Sequence, residues 1–201
     1  PGAVAPLLVL GILAALVVAE CYNLHFEFRR QTIYLSATEL AFVIALVEIG
    51  PTWTAVTRAC AVGGVCLFQR FSPSKLVFNT AVAVIEVCVA VAVLRVLPVA
   101  EMTSPAAWVS YLVAIVLATL VGGGLTRLAI IATQGYPGRA LWTSLLLTTF
   151  TVTPMAVIVG LSVLLLMRET AWSLLLITPL TVGLVLLYRR FAAVSREGED
   201  L

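Results

Sequence analysis

Charged side chains stand inside apolar stretches, where an ionised group at the centre of a membrane helix costs about 2.5–3.5 kcal/mol. Glu86 lies near the middle of the run Leu76–Leu97, and Arg58 lies inside the run Trp53–Phe68. Such groups face the interior of a bundle and find partners there. Lys75, Asn79 and Glu86 follow an i, i+4, i+11 spacing and share one helix face. The depths of Arg58 and Glu86 differ by roughly 8–9 Å at a rise of 1.5 Å per residue, a gap that a long arginine or a water can bridge. Glu39 either sits inside with them or caps a helix start beside Ser36 and Thr38. Glu48 falls on the opposite side of that helix from Glu39 and is expected in solvent. The candidate ligand-binding or buried polar cluster is therefore Glu86, Asn79, Arg58 and Glu39. Its use is either a ligand or proton site, or a structural pairing that locks helix packing.

Counting excludes most catalytic chemistry. The one aspartate is Asp200, in the C-terminal tail, so a two-aspartate intramembrane protease is ruled out. The one histidine is His25, and a Ser-His-Asp triad would have to join it to Asp200. HExxH, P-loop and GxGxxG patterns are absent. Cys21, Cys60, Cys66 and Cys88 form no CxxC pair, so they read as small core residues and not as zinc ligands. No catalytic residue, metal or cofactor is expected, and the net charge of +2 is too small to suggest a nucleic-acid partner.

The elements that must position these residues follow from composition. The chain is 62% hydrophobic and 11% charged, with a mean hydropathy of +1.11; soluble domains have about 45–50% apolar and about 25% charged residues. The apolar runs are long enough for a hydrocarbon core of about 30 Å. The expected fold is an all-α, polytopic transmembrane helical bundle in the cell membrane, with seven spans. These are Val4–Cys21, Ala37–Ile49, Trp53–Phe68, Leu76–Leu97, Ala106–Ala132, Leu141–Met167 and Thr170–Phe191. The first is read as a span and not a signal peptide, because no basic segment precedes it. The chain opens on Pro1 and not Met, which suggests a fragment. The second span is short, so it and the third, joined at Gly50-Pro51, either both cross or form a re-entrant hairpin. Gly122-Gly123-Gly124 is either a break in the fifth span or a close helix contact. Pro154 should kink the sixth, with threonine hydroxyls serving the freed carbonyls.

Basic residues orient the bundle. Of the 12 Lys and Arg, eight fall in loops on one side, including Arg29, Arg30, Arg70 and Arg189; Arg95 and Arg168 fall on the other, and Arg58 and Arg127 lie inside spans. Positive loops stay cytoplasmic, so the N-terminus is expected outside and the C-terminus inside. The segment His25–Leu40, HFEFRRQTIYLSATEL, is the long polar interruption of the N-terminal half. His25, Glu27, Arg29 and Arg30 place it at the cytoplasmic interface, either anchoring on lipid headgroups or docking a cytoplasmic domain. Residues 1–191 form the bundle and residues 192–201 begin a signalling or linker helix. Leu187, Phe191, Val194 and Leu201 fit a heptad seam, with Gly198 at the remaining seam position. That spacing fits a homodimer through the C-terminal helix, a two-helix signalling stalk, with a juxtamembrane tail that has no partner as the alternative.

Three stretches, HFEFRRQTIYLSATELAFVIAL, KLVFNTAVAVIEVCVAVAVLRVL and the last span running into YRRFAAVSREGEDL, together resemble one family. They are similar to the membrane-embedded N-terminal input region of actinobacterial cyclic-di-GMP signalling proteins of the GGDEF/EAL type. The HFEFRR segment and the Lys75, Phe78, Asn79, Glu86 pattern carry the resemblance most specifically; residues 101–167 match only in hydropathy. The resemblance implies a sensory or anchoring domain that relays a membrane or small-molecule cue to cytoplasmic cyclase or phosphodiesterase domains not contained in this chain. The partners expected are the lipid bilayer, a second copy and a small-molecule ligand. The alternatives are a small-molecule transporter or its substrate-binding subunit, and a structural subunit of a membrane complex.

Overall fold

The computed structural model describes residues 5–21, 24–28, 31–35, 38–97, 104–134, 142–143, 146 and 148–169. Most of them are helical: α1 Pro6–Cys21, α2 Thr38–Glu48, α3 Gly50–Phe68, α4 Pro73–Val96, α5 Pro105–Gln134 and α6 Thr153–Glu169. The chain divides into two compact units, residues 1–161 and 162–201.

Helix boundaries follow local chemistry. Gly50 adopts a φ of 74°, which ends α2 and reverses the chain, and Pro51 starts α3 where a missing N–H costs nothing. Pro73, after an extended Ser72, starts α4 in the same way. The end of α3 is a Schellman turn: Phe71 N–H donates to the Cys66 carbonyl at 2.9 Å and Arg70 N–H to Leu67 at 3.0 Å. The left-handed position in that turn usually holds glycine, and here it holds Arg70 at φ 56°. A side chain in this conformation costs roughly 1–2 kcal/mol. Part of that returns as unfolded-chain entropy when glycine replaces it, so Arg70→Gly is expected to stabilise the chain by about 0.5–1 kcal/mol. A thermal unfolding midpoint in detergent checks this.

Helix α4 packs between α3 and α5, α1 packs on α3 and α2, and α2 also touches α3 and α5. Ile12 and Leu16 of α1, Ala41 and Ala45 of α2, Ile49 between α2 and α3, and Ala61 of α3 form a buried cluster. Small residues at Ala41, Ala45 and Ala61 allow the backbones to approach closely. Among the described residues two helices, Pro73–Val96 and Pro105–Thr133, are long and apolar enough to cross a membrane; α1 and α6 are apolar but shorter. Only 22% of the most apolar window of α4 is buried, so Val77 and Ile85 show apolar surface outward.

The expected helical class holds, with one addition at the polar segment: β1 Leu24–Phe28 and β2 Gln31–Leu35 pair antiparallel, with His25 opposite Tyr34 and Glu27 opposite Thr32. The physical reason is in the sequence, since Phe26 and Phe28 alternate with His25 and Glu27, and Thr32, Ile33 and Tyr34 favour strands. In the sixth expected span a π-turn at Thr148–Val152 runs directly into α6, so a helix irregularity lies just before Pro154, at the place of the expected kink. The hydroxyls of Thr149 and Thr153 are buried without a hydrogen-bond partner and do not serve freed carbonyls. The triple glycine does not break α5, which runs through it. Thr126 Oγ1 donates to the Gly122 carbonyl at 3.0 Å and Arg127 Nη1 to the Gly123 carbonyl at 3.1 Å. The seventh expected span, Thr170–Phe191, lies outside the described residues.

Candidate functional site

Helix α3 carries Thr54, Thr57 and Arg58 on its buried side. Both hydroxyls donate at 2.8 Å to carbonyls one turn back, Gly50 and Trp53. They are thereby satisfied within their own helix, and Arg58 is the group left to reach across to neighbours. It is only 6% exposed. Its Nη2 donates to Glu86 Oε2 of α4 in a direct salt bridge. The guanidinium carbon also lies 4.5 Å from the centroid of the Phe42 ring of α2, where the negative ring face attracts it. Arginine suits this place because its planar cation is weakly hydrated and stacks on aromatic rings.

Glu86 needs room to lie against α5, and Gly122 gives it. A Cβ at Gly122 would come 2.7 Å from Glu86 Cδ and 2.8 Å from its Cγ, and closer still to Oε1. The close-contact reading of the triple glycine therefore holds at its first residue. Asn79 sits two turns before Glu86 on α4, and its Nδ2 is 3.7 Å from Cys66 Sγ.

Two cavities meet at the ion pair. The larger, of about 390 Å³, includes Glu20, Arg58, Cys66, Asn79 and Glu86 in its wall and reaches the exposed Gln69 and Phe71 at the α3–α4 turn. The smaller, of about 170 Å³, is lined by Glu20, Thr38, Glu39, Phe42, Arg58, Glu86 and Thr119. Glu39 and Phe42 are one turn apart on α2, so both face it. Glu39 is half-buried as a residue. Its Oε2 is fully buried and has no hydrogen-bond partner, while its carboxyl also interacts with its own backbone N–H. Both open readings of Glu39, interior group and helix-start group, thus describe part of it. The Nε of Arg58 is likewise buried without a partner.

All four cluster residues expected from the sequence, Glu86, Asn79, Arg58 and Glu39, line these cavities. Lys75 shares the α4 face but is exposed at the helix start. Sequence reasoning missed Glu20, which lines both cavities, and Phe42. Glu20 is the lone acid of an otherwise apolar α1, and that isolation was its signal. Glu48 is half-buried and carries an interaction of its own, contrary to the expectation of a solvated group. It is the last residue of α2, against the tight Gly50 turn. Of the cysteines only Cys66 is buried; Cys21, Cys60 and Cys88 are exposed and free, because an outward apolar face accommodates a small thiol as well as a core does. Among the described residues no group of three His, Cys, Asp or Glu could hold a metal ion. His25 and Glu27 lie on β1. Arg29, Arg30, Phe191, Val194 and Leu201 lie outside the described residues.

Comparison with protein-family models, with curated proteins and with solved structures returns no match.

Proposed function

We propose that this chain is a multi-pass input domain of the cell membrane, with seven crossings, an outer N-terminus and a cytoplasmic C-terminus. In this reading it works as a homodimer. It relays a membrane or small-molecule cue through its last helix to cytoplasmic signalling domains, in the manner the cyclic-di-GMP resemblance implies. The observation that carries the reading is the buried Arg58–Glu86 pair, which joins α3 to α4 beside a cavity within apolar helices. A charge pair with little water around it has steep alternatives: intact, or exchanged for contacts to a ligand. A ligand that competes for either partner binds one arrangement of α3 and α4 better than the other, and only such differential affinity can shift a conformational equilibrium.

Cysteine crosslinking in native membranes tests the relay, in a background with the four native cysteines replaced by serine. Cysteines at Phe191 or Val194 are expected to crosslink two chains far more than cysteines at Ala192 or Ser195, and Glu86→Gln is expected to change that pattern. Equal crosslinking at all four positions, or none, removes the dimeric relay. The orientation has its own check: a reporter active only in the cytoplasm is expected to work after Leu201 and to fail in the Glu101–Ser104 loop.

A further inference from the structure

The two cavities share Glu20, Arg58 and Glu86 in their walls. Across both, three carboxyl groups face one guanidinium. Glu39 lies within electrostatic reach of Glu20, Arg58 and Glu86 together. Carboxyls in such surplus disfavour an anionic ligand and favour a cationic one. Two further facts narrow the choice. Glu39 Oε2 is a buried acceptor with no donor, and Arg58 Nε, on a side chain more than nine-tenths buried, is a donor with no acceptor. Buried polar atoms of this kind are uncommon because each costs free energy until it is matched. The matching molecule must offer a donor to Glu39 and an acceptor to Arg58.

A metal ion does not fit, since no three carboxyl, thiol or imidazole groups among the described residues converge closely enough. A quaternary ammonium does not fit either. It has no N–H to give, and it is normally held by aromatic faces, whereas the Phe42 face is already taken by Arg58. A proton would lower the charge and leave Arg58 Nε as it is.

We propose that the two cavities form one binding site for a small primary-ammonium compound bearing an acceptor oxygen. Its ammonium group is held by Glu39 with Glu20, and its oxygen accepts from Arg58 Nε. The amide side chains of Gln69 and Asn79 line the route from the α3–α4 turn. This ligand class rests on the input-domain reading, because it names the cue of that same site. The shared chemistry, an ammonium group a short carbon chain from an acceptor oxygen, occurs in a free amino alcohol, where the oxygen is a hydroxyl, and in the headgroup of an ethanolamine lipid, where it is a phosphate ester oxygen.

The test uses the full chain in nanodiscs of phosphatidylcholine, titrated at neutral pH and followed by thermal unfolding. Ethanolamine is expected to raise the midpoint. Ethylene glycol, glycolate and choline at the same concentration are expected to leave it unchanged. Glu39→Gln should weaken ethanolamine binding by about tenfold or more, as expected when one partner of a charge-assisted hydrogen bond is removed. Glu48→Gln, outside both cavities, should bind as the parent does. In a second arm, nanodiscs containing phosphatidylethanolamine with no free amine show whether the lipid headgroup acts instead. A Glu39-dependent rise in that arm assigns the lipid as the source. No rise in either arm, an equal rise with ethylene glycol, or full affinity in Glu39→Gln overturns the proposal. A failed titration with Glu86-dependent crosslinking intact would refute the ammonium ligand and spare the relay; the opposite pair of results would spare the ligand and refute the relay.

Discussion

Arg58→Met is expected to cost about 3–5 kcal/mol of stability, the loss seen when one member of a buried ion pair is removed and the other charge is left uncompensated. Glu86 would then face an apolar wall, the Phe42 ring would lose its cation, and the Glu20 and Glu39 carboxyls would lose the one positive charge lining their cavity. The double substitution Arg58→Met with Glu86→Leu is expected to recover most of the loss, because replacing both partners by apolar groups of similar size is often neutral. Denaturant or thermal unfolding in detergent micelles measures both. A single-substitution loss below about 1 kcal/mol would class the pair with solvated surface bridges and would remove the basis for a low-dielectric site. The two-residue design separates the value of the pair from the penalty of breaking it, which a single variant cannot do.

Gly160→Ala is expected to destabilise by about 1–3 kcal/mol, as overpacking does. Gly160 of α6 lies against α2. An added Cβ would run into the Val43 side chain and come within 3.1 Å of the Leu40 carbonyl oxygen. A side chain can turn aside, but the backbone of α2 can move only by shifting the helix. Gly124→Ala is the internal comparison: nothing lies within 4 Å of the added carbon, so helix propensity alone acts and stabilises by about 0.5–1 kcal/mol. Opposite signs for the same chemical change, measured as unfolding midpoints, are the expected result. Equal signs would mean that the α2–α6 contact relaxes freely.

The central pair was legible because charge inside an apolar run has few ways to be satisfied. Arg58 and Glu86 were the charges set deepest in their runs, and an arginine is long enough to cover the difference in depth. Glu39 was half legible: its place at the start of α2 suited a cap as well as an interior role, and its carboxyl takes part in both. Glu20 was not read as a site residue because it sits in the last turn of α1, where an acid at a span end is ordinarily solvated. Only the neighbouring faces of α2, α3 and α4 turn it inward, and that is tertiary information. The triple glycine supported two readings equally, since glycine both weakens helices and permits close approach; the position of Glu86 on another helix decided between them. The hairpin was missed because its aromatics suited a membrane interface as well as they suited a strand. The period of two in His25–Phe28 was visible, and the interface reading overrode it.

The contact between Gly122 and Glu86 has a consequence for descent. The two positions divide one small volume between them, so residue 122 cannot gain a side chain while the acid at 86 stays in place. A chain that gains a methyl group at 122 must shorten or withdraw the acid at 86. A chain that keeps the glutamate inherits the glycine with it. Across sequences that keep this architecture, glutamate at 86 should occur only beside glycine at 122, while glycine at 124 drifts freely to alanine.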